Sequence, residues 1–303
     1  MTTRGRMARR RDRSRGPHGL LVVDKPAGVT SHDVVDLARR RLGQRRVGHS
    51  GTLDPPATGV LLLGVGQVTR ALRWLTALPK TYTGEVVFGA TTTTLDDTGE
   101  VVERFDVGSL DLAEVRAVVA TELTGPIEQI PPMVSAVRVG GRRLHEAARA
   151  GEEVEREPRS VTVHRFEVGE PVESGVVPIE VECSSGTYVR TLADDLGRLL
   201  GSGAHLRGLR RTAIGSFGLD VAAGVDDAEL LSPVEAVRDL PRVDVDDATA
   251  ARVRHGAVLE LDVAGGATAA AVVGPGDELL AIYEPHRGAW KPAAVVAVTA
   301  PTT

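Results

Sequence analysis

Between Gly48 and Gly59 the chain reads Gly-His-Ser-Gly-Thr-Leu-Asp-Pro-Pro-Ala-Thr-Gly, which crowds reactive side chains into one loop. Three glycines let the backbone approach a ligand closely or take positive φ, and Pro55 and Pro56 stiffen the chain behind one carboxylate, Asp54. A stiff loop that presents a single acid makes Asp54 the candidate nucleophile. His49, at the loop's start, reads from its type alone as a candidate ligand or base. An isolated Asp-Pro would more often be a turn, so the assignment depends on what surrounds it.

The flanking elements must position that loop. Gly19–Asp24 is a short apolar strand that ends in the turn signal Lys25-Pro26-Ala27-Gly28, and Ser31 is placed to cap the helix that follows. Val34, Val35, Ala38 and Leu42 fall at helical spacing, and Gly43 stops that helix. Five arginines, at 39, 40, 41, 45 and 46, crowd its end and exit; they either complement the helix dipole or form a phosphate track toward Asp54. After the loop, Val60–Gly66 reads as a buried strand, and an apolar helix face follows at Val68, Ala71, Leu72, Leu75 and Leu78. Lys80–Ala90 alternates as a strand with Tyr82, Val86 and Phe88 on one face. Ser160–Gly169 and Val176–Cys183 are further strands, and a helix begins near Tyr188 with Thr187 as its cap. Arg190 in that first turn is unfavourable for the helix dipole unless a carboxylate faces it. Gly203–Ile214 is a strand that carries Arg207, Arg210 and Arg211.

Other motifs fail. Gly64-Val65-Gly66 imitates a dinucleotide fingerprint but lacks the third glycine, and no Gly-Lys-Ser/Thr occurs. His145-Glu146 has no second histidine at zinc-protease spacing, and a single cysteine, Cys183, excludes a disulfide framework and a multi-cysteine zinc site. With no apolar run of about 18 residues, no membrane span is expected, and the cytoplasm is the default compartment. The net charge of −5 conceals a basic start, with seven Arg and one Asp in the first 16 residues, so the remainder is distinctly acidic. Charge alone therefore argues mildly against nucleic acid, although local basic patches weigh more than the sum. The expected organisation is a disordered basic tail over 1–16, a catalytic domain over 17–240 and a small β-rich domain over 241–303.

Taken together, the Asp54 loop, Asp-Lys-Pro-Ala-Gly before it, and Lys-Thr-Tyr, Gly-Thr-Tyr-Val-Arg-Thr-Leu and Gly-Ala-His-Leu-Arg-Gly-Leu-Arg-Arg after it resemble the TruB family of tRNA pseudouridine synthases. The resemblance runs from about Gly19 to Phe217. It implies an α+β fold on a mixed, mainly antiparallel sheet, with a PUA-like terminal domain and a T-loop-gripping insertion over 125–155. It also implies isomerisation of uridine 55 in the T arm of tRNA, with no cofactor, no metal and a monomeric enzyme. Asp54 would be the nucleophile, attacking C1′ or C6 or assisting elimination to a glycal. Arg190 would be its carboxylate partner through a bidentate pair, and Tyr82 would stack on the base and move a proton. Tyr188 and Leu209 match base-contacting positions, Lys25 is grouped with the substrate-binding residues, and His49 matches the residue that fills the space of the extruded base. The arginines at 39–46, 142–143 and 207–211 would hold phosphates.

Two other classes remain for comparison. A non-catalytic tRNA-binding or folding protein would not need Asp54, Tyr82 and Arg190 together. A glycosidase-like hydrolase needs two carboxylates, and no second acid stands in a comparable loop.

Overall fold

The structure is a computed structural model that describes residues 16–298 other than 109, 136, 137, 140, 141, 145–151, 153 and 264, with only the backbone of 138, 139, 142, 143 and 298. The basic tail and the side chains of Arg142 and Arg143 lie outside the described residues.

Strand β1 (Gly19–Lys25) leads through helix α1 (Ser31–Leu42) to β2 (Val47–His49) and β3 (Thr58–Val65). A 3-10 segment (Gly66–Ala71) and α2 (Leu72–Ala77) return the chain to β4 (Lys80–Phe88), then β5 (Ala90–Thr92) and β6 (Val101–Arg104). Next come α3 (Leu112–Glu122), β7 (Gly125–Gln129), the short pair β8 (Arg138–Val139) and β9 (Arg142–Arg143), β10 (Arg159–Val168) and β11 (Val176–Cys183). Helix α4 (Val189–Leu199), β12 (Ala204–Ile214), β13 (Phe217–Gly218) and β14 (Leu230–Leu231) complete the larger unit. The chain ends in β15 (Arg242–Asp244), α5 (Asp247–Arg254), β16 (Ala270–Gly274), β17 (Glu278–His286) and β18 (Ala289–Val298).

The main sheet has the order β14-β1-β3-β12-β4-β11-β10-β7, with β2 beside β3 and β13 beside β12. Its pairs are antiparallel except β3–β12, so the fold is α+β on a mixed, mainly antiparallel sheet. β1 and β3 read as continuous apolar runs because both their faces are covered. Leu20, Val22, Val60 and Leu62 face α2 and the terminal unit, while Leu21, Val23, Leu61 and Leu63 face α1. The other half of the sheet buries Val86, Val163, Val181 and Leu206 against α3 and α4.

Two helix starts differ from the sequence reading. Thr30 rather than Ser31 caps α1, in a capping box with Asp33, because Ser31 is buried and its hydroxyl serves the Asp54 loop instead. Tyr188, with no side-chain cap bond, occupies the cap position of α4, and the Thr187 hydroxyl donates to Ser184 O at 3.0 Å.

The terminal unit is a four-stranded sheet in the order β15-β16-β17-β18. Ala271, Val273, Leu279 and Ile282 join the same apolar cluster as Leu20, Val22 and Phe217, so the small sheet shares a core with the large one. Arg73 pairs with Glu284 at 2.7 Å across the junction, and Arg70 donates to Val295 O.

Gly59 is the tightest joint behind the loop. Its φ is +103°, and a Cβ there would lie 2.1 Å from the Arg211 carbonyl oxygen, where β3 meets β12. A Gly59→Ala variant combines a left-handed backbone with an overpacked strand crossing, worth about 2–5 kcal/mol together. Its thermal midpoint is expected to fall by about 5–10 °C in calorimetry, and an unchanged midpoint would contradict this packing.

Candidate active site

The Asp54 loop is pinned by side chains that reach it from three directions. Lys25 Nζ donates to Pro26 O and Val29 O at 2.9 Å and to Pro55 O at 3.2 Å. Ser31 Oγ donates to Leu53 O at 3.1 Å and accepts from Leu53 N at 2.8 Å, so both polar groups of the residue before Asp54 are held. From β12, Arg211 donates to Gly51 O and Val60 O on the two sides of the loop. Leu53 and Ala57 are buried, which anchors the loop by its apolar residues and leaves the Asp54 side chain 40% exposed.

Arg190 meets that carboxylate. Its side chain is 5% exposed, and Nη2 lies 2.7 Å from Asp54 Oδ2. The pair is not the bidentate fork expected from sequence. The guanidinium is shared: Nη1 donates to Thr94 O at 2.7 Å, Nη2 also to Val134 O at 2.8 Å, and Nε lies 3.8 Å from Asp96 Oδ2. The carboxylate required to face a cation in the first turn of α4 is therefore present twice.

Asp96 is the functional candidate that sequence reading missed. Asp96 Oδ1 accepts from Thr94 Oγ1, Thr98 N and Thr98 Oγ1, a local acidic turn that was legible in the Thr-x-Asp-x-Thr spacing. Backbone bonds from Asp97 N to Leu206 O and from Leu206 N to Leu95 O tie this turn to β12, and Leu95 takes φ 60°. A second acid thus stands beside Asp54, correcting the premise on which a hydrolase was set aside. Asp96 accepts three hydrogen bonds, however, whereas the second carboxyl of a glycosidase must donate a proton.

Asp54, Asp96, Asp97, Arg190, Leu206 and Leu209 line one cleft of about 150 Å³. That space would hold roughly five waters, the scale of one inserted ring rather than a folded stem. Leu209 reaches it because β12 bulges between Arg207 and Arg210, with Gly208 at φ +68°.

The remaining candidates surround the cleft without lining it. Tyr82 is half-buried on β4; burial pushes its hydroxyl pKa up, and Arg211 beside it pulls the other way. Tyr188 is half-buried, its hydroxyl pKa also raised by burial, and Ser135 hydrogen-bonds it. Gln129, buried and unnoticed in the sequence, accepts from Tyr188 N at 2.7 Å and donates to Tyr188 O at 3.0 Å, thereby fixing the start of α4. Burial holds the His49 pKa below its usual value, with Arg211 adding to the effect, so the ring is neutral near pH 7.

Lys25 departs from its expected role. It is 0% exposed and its ammonium is spent on three carbonyls, so it braces the loop and is not available to substrate. The arginine tracks also divide. Arg39 is bound to Asp36 and Val47 O, Arg41 to Val225 O and Ala228 O, and Arg46 to Thr69 and Gln67. Arg207 pairs with Glu85 and Glu173, Arg210 pairs with Asp24, and Arg211 is 1% exposed, so all three hold the protein together. Arg40 and Arg45 stand exposed.

Known proteins place this arrangement. Residues 39–189 match the TruB family pseudouridylate synthase N-terminal domain, and residues 190–242 match the tRNA pseudouridylate synthase B C-terminal domain. The chain is 51% identical over 245 residues to the tRNA pseudouridine synthase B of Symbiobacterium thermophilum, covering 78% of this chain and 82% of the relative. To that of an Arthrobacter species it is 43% identical over 296 residues, 92% of this chain and 96% of the relative. Among solved structures, a Cbf5-Nop10-Gar1 complex aligns with a TM-score of 0.67 and 26% identity over 93% of this chain and 84% of the other. Identity of this extent, across the segment that carries the Asp54 loop, β4, α4 and β12, shows that the chain belongs to the TruB family of pseudouridylate synthases.

Proposed function

We propose that this chain isomerises uridine 55 in the T loop of tRNA to pseudouridine, with Asp54 as the nucleophile. The observation that carries the reading is the 2.7 Å pair between Asp54 and the buried Arg190, set in a cleft the size of one ring. Relatives named tRNA pseudouridine synthase B over most of this chain's length support the substrate class.

The reaction breaks the C1′–N1 bond, turns the base and rejoins it through C5; N1 gains a proton and C5 loses one, so no electrons are exchanged overall. Asp54 either adds to C1′ or C6 or assists elimination to a glycal. Arg190, 2.7 Å away, fixes the direction of its carboxylate. The target base must leave its stack, at a few kcal/mol, and then sit between Tyr82, Tyr188 and Leu209 while neutral His49 fills the gap left in the RNA. Phosphate contacts come from the exposed arginines, Arg40 and Arg45 among them, and from the four-stranded terminal unit, which we read as a PUA-like RNA-binding module. A tRNA substrate fits a cytoplasmic enzyme, which we take to act as a monomer.

Three outcomes are expected. Asp54→Asn should lose about 10⁴-fold or more of pseudouridine formation on a T-arm RNA while affinity stays within a few fold. Mapping pseudouridine by position in an unmodified tRNA reads this directly, and residual turnover by the variant would remove Asp54 from its role. Arg190→Lys cannot reach Asp54, Thr94 O and Val134 O at once, so the rate should fall about 100-fold from misplacement of the acid; near-normal rates would dissolve the partnership. Affinity for tRNA should fall on the order of tenfold or more for a fourfold rise in salt, and a flat response would contradict a phosphate-led interface.

A further inference from the structure

Arg211 heads the fully buried side chains by volume among the described residues, at 1% exposure. Its strand, β12, lies between β3, which leaves the Asp54 loop, and β4, which carries Tyr82. In register, Arg211 stands opposite Gly59 on one side and Tyr82 on the other. Nε donates to Val60 O at 2.7 Å and Nη2 to Gly51 O at 3.2 Å, and the guanidinium also faces the Tyr82 hydroxyl as a hydrogen-bond donor. No described carboxylate lies within ion-pair distance of it. A buried guanidinium compensated only by carbonyls and a phenol is costly, because its charge is left without a counter-charge. A leucine or methionine would fill the volume without that cost, so packing alone does not account for an arginine here.

We infer that Arg211 is a positioning residue for the isomerisation, clamping both sides of the Asp54 loop to β12 while holding the Tyr82 hydroxyl in a fixed direction. One guanidinium thus keeps the nucleophile loop and the stacking tyrosine in a constant relation. The inference rests on the proposed function for its kinetic part only. The titratable groups around this pair are Lys25, His49 and Lys80 near Arg211, and Cys183 and Asp54 near Tyr82. Lys80 is itself buried, and burial lowers its pKa to about 8, with Arg211 pushing in the same direction. A cation against a phenol favours the phenolate, so loss of Arg211 should raise the Tyr82 pKa further, since burial already raises it.

The test uses the full chain carrying Arg211→Met or Arg211→Lys. Ultraviolet difference titration resolves Tyr82 by subtraction of a Tyr82→Phe protein, since the chain has only three tyrosines. In Arg211→Met the Tyr82 component should move up by about one pH unit or more, and in Arg211→Lys it should stay near the parent value. Turnover on a T-arm RNA should fall by about tenfold or more in Arg211→Met, with KM changed far less, and be partly restored by lysine. Should methionine prevent folding, Arg211→Lys carries the test alone: the charge is kept and the fork is lost, so kcat falls by about fivefold or more with the Tyr82 titration in place. A Tyr82 titration unmoved in Arg211→Met, or turnover of the lysine variant within about twofold of the parent, overturns the inference. The titration needs no RNA, so a parent protein that made no pseudouridine would refute the proposed function and leave the Arg211–Tyr82 contact to be judged separately.

Discussion

A guanidinium taken out of water at the positive end of a helix is tenable only where acceptors close around it, and Arg190 imposes that demand on the whole site. Three segments that are far apart in sequence bring acceptors to it at the start of α4: the loop at Asp54, the turn at Thr94–Asp96 and the backbone at Val134. Each of these in turn needs its own support. The loop is tied by Lys25, Ser31 and Arg211, the acidic turn by Leu206, and the start of α4 by Gln129. The cleft is the space these ties leave between them.

The supporting cations spend their charge mostly on carbonyls. Lys25 binds three, Lys80 binds Thr76 O and Leu78 O, and Arg211 binds two. Carbonyls hold a loop in place without adding further carboxylates to compete for Arg190. The result is a group of buried cations behind the Asp54 loop whose charge is met by backbone dipoles.

Much of this was legible locally. The stiff loop with one carboxylate, the strand that presents Tyr82 and the awkward arginine in the first turn of α4 are all written in short spacings, and the last of these demanded the carboxylate partner that Asp54 supplies. Several residues were misread where a side chain's role depends on what stands opposite. Lys25 and Arg211 look like surface cations in a linear reading, yet the sheet closes over both. Ser31 is a good helix cap by type, but Leu53, twenty-two positions away, takes its hydroxyl. Asp96 went unnoticed because its charge partner lies beyond local reach, across the fold.

The sequence alone determined the elements, the rigidity of the Asp54 loop, the family and the one acid around which the chain is arranged, because propensity, turn chemistry and motif spacing are local. Only the tertiary structure decided which arginines stand exposed and which brace the protein, and that Arg190 is shared among acceptors rather than forked onto one. Those outcomes follow from burial and strand register: β12 lies between β3 and β4, and a residue's exposure and partners are set by the neighbours that the sheet brings to it from across the chain.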